Sequence, residues 1–473
     1  MWQYKAQFIS MILMITIGVG IFVGFNMEWI SIDINTKRFF KESHFADYRV
    51  VSESGFSEED VGNVENIKGV DKVSRYISVP ADVKEKDGDS LALTVTENFD
   101  VSSFLKVDGA DYDKKSEDGL WISDKYAAAN DISIGDKLTL VYKGTTINTV
   151  VKGTVKSGEH LVCVRDETQL MPDYNTYGFG YISPAAYKKA LGRDYYPQLN
   201  IISDLSKEEI TDKTDEALGK TTLVLSKDEN SSYSAADGEM EEGKTMGSVL
   251  PVLFLLIAVL TMVTTMHRLT AKEKVQIGTL KALGFRDKRI LRHYTSYAFM
   301  IGIIGSVAGI GLGYLVARMI MGRDGTMGTY FDMPYWELRL PTFCIVILAV
   351  LILALTLIGF LSVKEMLKGT AADSLRPYAP KKMKKLLLEK TTLWNRFSFG
   401  TRWNMRDIMR HKSRTLMSLV GIAGCMVIVV GTMGMRDTMN AFLRTYYDDS
   451  MKYSSRIYLS ETATEEDTQK IID

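Results

Sequence analysis

Apolar residues along this chain gather into five blocks without Asp, Glu, Lys or Arg: 6–27, 247–267, 294–317, 341–363 and 415–435. Each is close to the about 20 residues an α-helix needs to cross a hydrocarbon core roughly 30 Å thick. Helices in the core of a water-soluble protein rarely run that far without a charge, so the blocks are predicted to be transmembrane helices. Residues 29–246 read differently. In FSEEDVGNVENIKGVDKVSRYISV, Ser57 is placed to cap a short helix whose first turn holds Glu58, Glu59 and Asp60, and Gly69 stops it before a strand. In LWISDKYAAANDISIGDKLTLVYKGTTINTVVKGTVKS the pattern predicts a strand, an Ala-rich helix, a turn at Ile-Gly-Asp, and two strands joined at Lys143-Gly144. The polar, turn-rich run 226–245 is expected to be a stalk leading into the second block. The predicted fold is a multi-pass α-helical membrane protein with an α+β extracytoplasmic domain inserted between the first and second transmembrane helices.

Charge orients the spans, because cytoplasmic loops near membrane ends carry an excess of Lys and Arg. Residues 268–293 contain eight Lys/Arg against two acids, and residues 364–414 contain fourteen against four, so both are expected inside. Residues 29–246 contain 26 Lys/Arg against 40 Asp/Glu, and the hairpin 318–340 is not basic; both are expected outside, as is 436–473, the start of a second extracytoplasmic segment. The whole-chain averages, 46% hydrophobic and a net charge of −1, hide this segregation. The first block is longer than a usual signal-peptide core and lacks an A-x-A-like cleavage site before Glu28, so it reads as a retained anchor in the plasma membrane.

Candidate chemistry is sparse. GEMEEGKT, 238–245, fits the phosphate-loop pattern G-x-x-x-x-G-K-[ST], but no buried strand precedes it. Glu239, Glu241 and Glu242 also stand where an anion would approach, and the octet falls on the exterior side, so it is read as a chance match. His44 and His160 have no Cys or His at metal spacing, and of the cysteines only Cys163 falls in the exterior domain, Cys344 and Cys425 lying in predicted spans. No catalytic, cofactor-binding or metal-ligating cluster, and no nucleic-acid site, is predicted.

The basic loop RLTAKEKVQIGTLKALGFRDKRILRHY is the most informative stretch. Its apolar positions alternate with Lys and Arg, predicting two short amphipathic helices divided at Gly284-Phe285. Such a segment either lies on anionic lipid or docks in a groove of a cytoplasmic partner. The third span places Gly302, Gly305, Gly309 and Gly313 at spacings of three and four, a small-residue face suited to close helix packing. A weak repeat also appears when residues 4–50 are laid over 411–457: Lys5 falls on Lys412, Gly24 on Gly431, and Arg49 on Arg456. The second copy stops as its exterior segment would begin, so the chain is expected to be C-terminally incomplete.

KEKVQIGTLKALGFRDKRIL, followed by the glycine-ridged span, resembles the FtsX-like permease domain of MacB-type ABC transporters. The order W-I-S-D-K-Y-A, I-G-D-K-L, V-K-G-T-V is similar to the extracytoplasmic core domain of that superfamily. ADYRVVSESGFSEEDV, LRPYAPKKMKK and WNMRDIMRHKSRTLMSLVGIAGC resemble the large two-repeat permeases of Gram-positive bacteria. The likeness spans essentially the whole chain, although the basic segment usual before the first span is reduced here to Lys5. It implies a permease subunit without a nucleotide site that works with a cytoplasmic ABC ATPase dimer, and with a second permease or a missing second half. It also implies that Glu273, Ile277, Gly278, Leu280, Lys281, Ala282 and Gly284 form the ATPase-coupling segment. ATP-driven movement would pass to the exterior domain for export, extraction or signalling. The alternatives are an FtsX-like regulator of a cell-wall hydrolase, or a membrane-anchored receptor without an ATPase.

Overall fold

The computed structural model describes residues 5–166, 169–192, 194–370, 389, 394, 396–410 and 412–450. They fall into two compact units, Met1–Arg376 and Pro377–Asp473. In the second, a helix spans Phe399–Arg410 and a longer one Lys412–Arg444. The LRPYAPKKMKK stretch and residues 451–473 lie outside the described residues, and with them part of the repeat.

The first unit begins with α1 (Lys5–Glu42). A lobe follows, made of β1 (Tyr48–Val51), α2 (Glu58–Glu65), β2 (Val70–Val83), β3 (Ser90–Thr96), β4 (Phe104–Gly109), β5 (Gly119–Ser123), α3 (Asp124–Ala129), β6 (Lys137–Tyr142), β7 (Thr145–Ser157), β8 (Tyr177–Ile182), α4 (Pro184–Leu191), β9 (Gln198–Ser203), α5 (Lys207–Leu218) and β10 (Leu223–Ser226). The ten strands form one mixed sheet in the order β10-β1-β9-β2-β3-β8-β5-β7-β4, with β6 bridging β2 and β7. Pairs β3–β8 and β5–β7 are parallel and the others antiparallel. Every residue of β3, β5 and β8 is buried, so these central strands are covered on both faces. One face packs Leu91, Leu93, Ile122 and Val151 with Tyr126 and Tyr187 of α3 and α4, and the other gathers Phe104, Trp121, Phe179 and Tyr181. Most local signals act as the sequence predicts, although α2 ends at Glu65 with Asn66 as its C-cap, before Gly69. Ser57 and Asp60 form a reciprocal capping box on α2, and Lys143 (φ 47°) and Gly144 (φ 77°) make the two-residue turn joining β6 to β7.

The chain then enters α6 (Ser231–Lys272), a short α7 (Lys274–Ala282), α8 (Asp287–Met321), α9 (Thr326–Tyr330) and α10 (Thr342–Leu367). Helices α1, α6, α8 and α10, like the longer helix of the second unit, are long and apolar enough to cross a membrane. Two sequence expectations need correction. The polar run before the second block is not a turn-rich stalk: after β10 and one 3₁₀ turn at Lys227–Glu229, α6 starts at Ser231. Asn230 caps it, its side chain accepting from the backbone N–H of Ser232 (2.9 Å) and Tyr233 (3.3 Å). Nor does the basic loop hold two short helices, since its second half is the first turns of α8. At 1.5 Å per residue, the 42 residues of α6 reach about 63 Å, twice a hydrocarbon core, so its polar turns continue beyond the apolar span.

Close contacts fix the helix directions. Methyl groups placed on Gly305, Gly309 and Gly313 of α8 would lie 2.7, 2.6 and 2.7 Å from Ile15, Val19 and Val23 of α1, so α1 and α8 run parallel. Gly18 meets Phe254 while Gly247 meets Asn26, so α6 is antiparallel to α1; Gly302 meets Leu355 while Gly359 meets Ala298, so α10 is antiparallel to α8. The lobe and the α8–α10 connection therefore share one end of the bundle, and α7 sits at the other.

Candidate functional site

At the end away from the lobe, α7 is held by its buried side. Ile277 is 1% exposed and packs with Ile290 and Tyr294 of α8 and with Val363 and Leu367 of α10. Gly278 is buried beside it. Glu273 is also buried, and its carboxylate accepts a hydrogen bond from Tyr294 Oη at 3.2 Å. Lys281 Nζ donates to the carbonyls of Leu367 (2.7 Å) and Gly369 (2.9 Å) at the C-terminal end of α10 and lies 3.4 Å from Asp287. A lysine there satisfies carbonyls that no helical N–H reaches and complements the helix dipole. Gly284, at φ 85°, lets the chain turn from α7 into α8.

The residues that the resemblance puts in the coupling segment therefore divide. Glu273, Ile277 and Gly278 face inward, Leu280 and Lys281 are half-buried, and Ala282 and Gly284 are exposed. The outward face carries Val275, Gln276, Thr279, Leu283 and Phe285, of which Leu283 is 70% and Val275 57% exposed. The 3.6-residue period shows that α7 has two faces but not which one the neighbouring helices cover, so sequence alone does not separate them.

The glycine face divides too. Ile15, Val19 and Val23 form an i, i+4, i+8 ridge that seats in the groove over Gly305, Gly309 and Gly313, while Leu312 and Val316 of α8 return into Gly20 and Gly24 of α1. Gly302 faces α10 instead, where an added methyl would stand 3.6 Å from Leu355.

Residues 238–245, the phosphate-loop lookalike, are helical throughout within α6. They start seven residues after its first, so their backbone N–H groups point along the helix to carbonyls four residues back and form no cradle. His44 Nδ1 lies 2.7 Å from the Phe99 carbonyl, whereas His160 stacks on Phe179 with ring centroids 4.6 Å apart. Burial lowers the His160 pKa to about 4, with Glu159 opposing. Burial raises the Cys163 thiol well above its ordinary value. No group of three or more His, Cys, Asp or Glu that could hold a metal occurs among the described residues.

Two polar clusters carry no signal in the sequence. Arg49 Nη2 meets Glu159 Oε2 at 2.6 Å with both side chains at most 8% exposed, and Ser102 Oγ donates to Glu159 Oε1 at 2.7 Å. Lys156 joins Asp124 at 2.7 Å and also pairs with Asp332 of the α8–α10 connection. Partners 110 and 176 residues apart leave no local pattern to read.

Residues 248–371 match the FtsX-like permease C-terminal family, a segment that contains the basic loop and the glycine-bearing helix that carry the resemblance. An uncharacterized ABC transporter permease of Methanocaldococcus jannaschii is 26% identical over 286 residues, 58% of this chain and 68% of that protein. Among solved structures, the extracellular domain of the noncanonical ABC-type transporter YknZ from Gram-positive bacteria gives a TM-score of 0.26 at 14% identity, over 37% of this chain and 90% of that one. The periplasmic region of MacB from Actinobacillus actinomycetemcomitans gives 0.26 at 10% identity, over 43% and 95%.

Proposed function

With an FtsX-like permease segment at residues 248–371 as its premise, we propose that this membrane chain is the transmembrane subunit of an ABC transporter, coupled through α7 to a separate cytoplasmic ATPase. The lobe is then the extracytoplasmic domain, inserted between the first and second membrane helices. The eight-to-two excess of basic residues in 268–293 and the 26-to-40 acidic balance of 29–246 support an inside position for α7 and an outside one for the lobe. The observation that carries the reading is the two-sidedness of α7. Its inner face is fastened to both α8 and α10 by Ile277, Glu273 and Lys281, and its outer face leaves Val275, Leu283 and Phe285 uncovered. A segment held that way transmits force from whatever covers the outer face to two long helices at once. A nonspecific lipid-lying helix needs no such bracing.

Co-purification with a cytoplasmic ABC ATPase, identified by mass spectrometry after pull-down from cells that make this chain, tests the proposal. Leu283→Glu is expected to abolish recovery of the ATPase while leaving thermal unfolding of the permease unchanged. Undiminished recovery and undiminished ATPase activity in the complex would overturn it.

A further inference from the structure

The lobe joins the membrane helices covalently at two points only, the end of α1 and the start of α6. Helices α8 and α10, to which α7 is fastened, have no direct chain connection to it, so any movement of theirs must reach it through noncovalent contacts. Asp332, 1% exposed on the α8–α10 connection, is set into the lobe. Its backbone N–H donates to the Leu161 carbonyl at 2.8 Å, and its carboxylate pairs with Lys156 of β7, which also holds Asp124 at 2.7 Å. Lys125 of α3 reaches the other way, donating to the carbonyls of Gly328 (2.7 Å) and Phe331 (2.9 Å), with its Nζ 3.9 Å from Asp332. Around this group Phe331, Met333 and Met321 pack against Leu161 and Val162 of the lobe and Phe39 of α1.

Four largely buried charges are a costly way to fasten two surfaces, because an apolar contact of the same shape holds at least as well. What two lysines and two aspartates supply is register: one relative position sets Lys156 against both aspartates and Lys125 within 3.9 Å of Asp332. That position leaves only Asp332 Oδ2 of the cluster's carboxylates buried without a hydrogen-bond partner, and a slide of a few ångströms strands a whole charge in a dry site. We propose that the Asp332–Lys156–Asp124–Lys125 cluster is a positioning joint, the third and noncovalent root of the lobe, through which displacement of α8 and α10 is passed to the lobe in fixed register. Its purpose rests on the permease reading; its existence does not.

Electron-paramagnetic distance measurement on the full chain in lipid nanodiscs, with no ATPase present, tests the joint. Spin labels go on Ala128→Cys, exposed on α3, and Thr329→Cys, exposed on α9, in a Cys425→Ser background, since Cys163 and Cys344 are buried. The parent is expected to give one narrow distance population, and Asp332→Asn to lose it for a broad or longer one. Asp124→Asn/Lys156→Met/Asp332→Leu, which removes the partner charge of Lys156 on α3 as well and restores the contact with an apolar pair, is expected to unfold near the parent temperature yet keep the broad distribution. That separates positioning from mere stability, and it decides the matter even if Asp332→Asn fails to fold. A single narrow population in either variant would overturn the joint while leaving α7 docking untouched. Failure of the ATPase to bind would sink the permease reading and leave this result standing.

Discussion

Replacing Gly309 by alanine adds one methyl group at the tightest point between α1 and α8. It would sit 2.6 Å from Val19 Cβ and Cγ1, where carbon atoms in contact prefer roughly 3.5–4.0 Å, so the helices must part by about 1 Å. Overpacking of that size typically costs about 1–3 kcal/mol. In a bilayer, moreover, close packing holds helices together without a hydrophobic drive to assist it. Alanine is also a better helix former than glycine, which blurs a single measurement, but Gly311→Ala provides the reference. Gly311 lies on the same helix, and a methyl added there would have nothing within 4 Å, so the propensity gain is common to both variants and cancels. Thermal unfolding in detergent, followed by circular dichroism, should place Gly309→Ala below Gly311→Ala by the full overpacking cost. Val19→Gly removes the opposing carbons, so Gly309→Ala should do less harm in that background, a nonadditivity expected of residues in contact. Equal stability of the two alanine variants, or strict additivity with Val19→Gly, would refute the ridge-and-groove account.

The remaining expectations concern the lobe, α7 and the phosphate-loop lookalike. His160 has its pKa lowered from 6.5 to about 4 by burial. A lowered base stabilises the fold above the unfolded value and loses that contribution as pH falls from about 6.5 toward 4. This amounts to at most roughly 3 kcal/mol, an upper bound because the residue as a whole keeps some exposure to solvent. Unfolding at pH 7.5 and 5 should show a smaller pH effect in His160→Gln than in the parent; an identical pH dependence would contradict the assignment. Arg49→Met leaves Glu159 charged in a dry site and should cost about 3–5 kcal/mol in chemical unfolding, most of it recovered by Arg49→Met/Glu159→Gln. Ile277→Asp should unfold the α7 end of the bundle, where Leu283→Glu should not, as limited proteolysis would show. Lys244→Ala, within helical α6, should leave nucleotide binding unchanged in equilibrium dialysis.

Much of the lobe's local structure was legible because its determinants lie within a few residues of one another. The Ser57 cap and the turn at Lys143-Gly144 are complete signals in four residues or fewer and form as read, with Asp60 adding a reciprocal bond back to Ser57. The apolar blocks were equally plain, since crossing lipid forbids charge over a whole helix. What failed was continuity: nothing in the polar run after Ser231 announces that it is helical, because its stability comes from the Asn230 cap and from packing of Ala236 near Phe39. Which face of α7 is covered was hidden for a related reason, since the covering residues Val363 and Leu367 follow some eighty residues later. Asp332 was unreadable altogether. An aspartate in a connection between two spans is ordinary until folding sets Lys156 beside it.

The central claim, that α7 and the lobe lie on opposite sides of a membrane, is tested most directly by labelling intact cells with a membrane-impermeant maleimide. In a Cys425→Ser background, Ala128→Cys on the lobe and Lys288→Cys in the first turn of α8 are both exposed positions. Ala128→Cys should react from outside, and Lys288→Cys only after permeabilisation. Reaction of both from the same side would contradict the account.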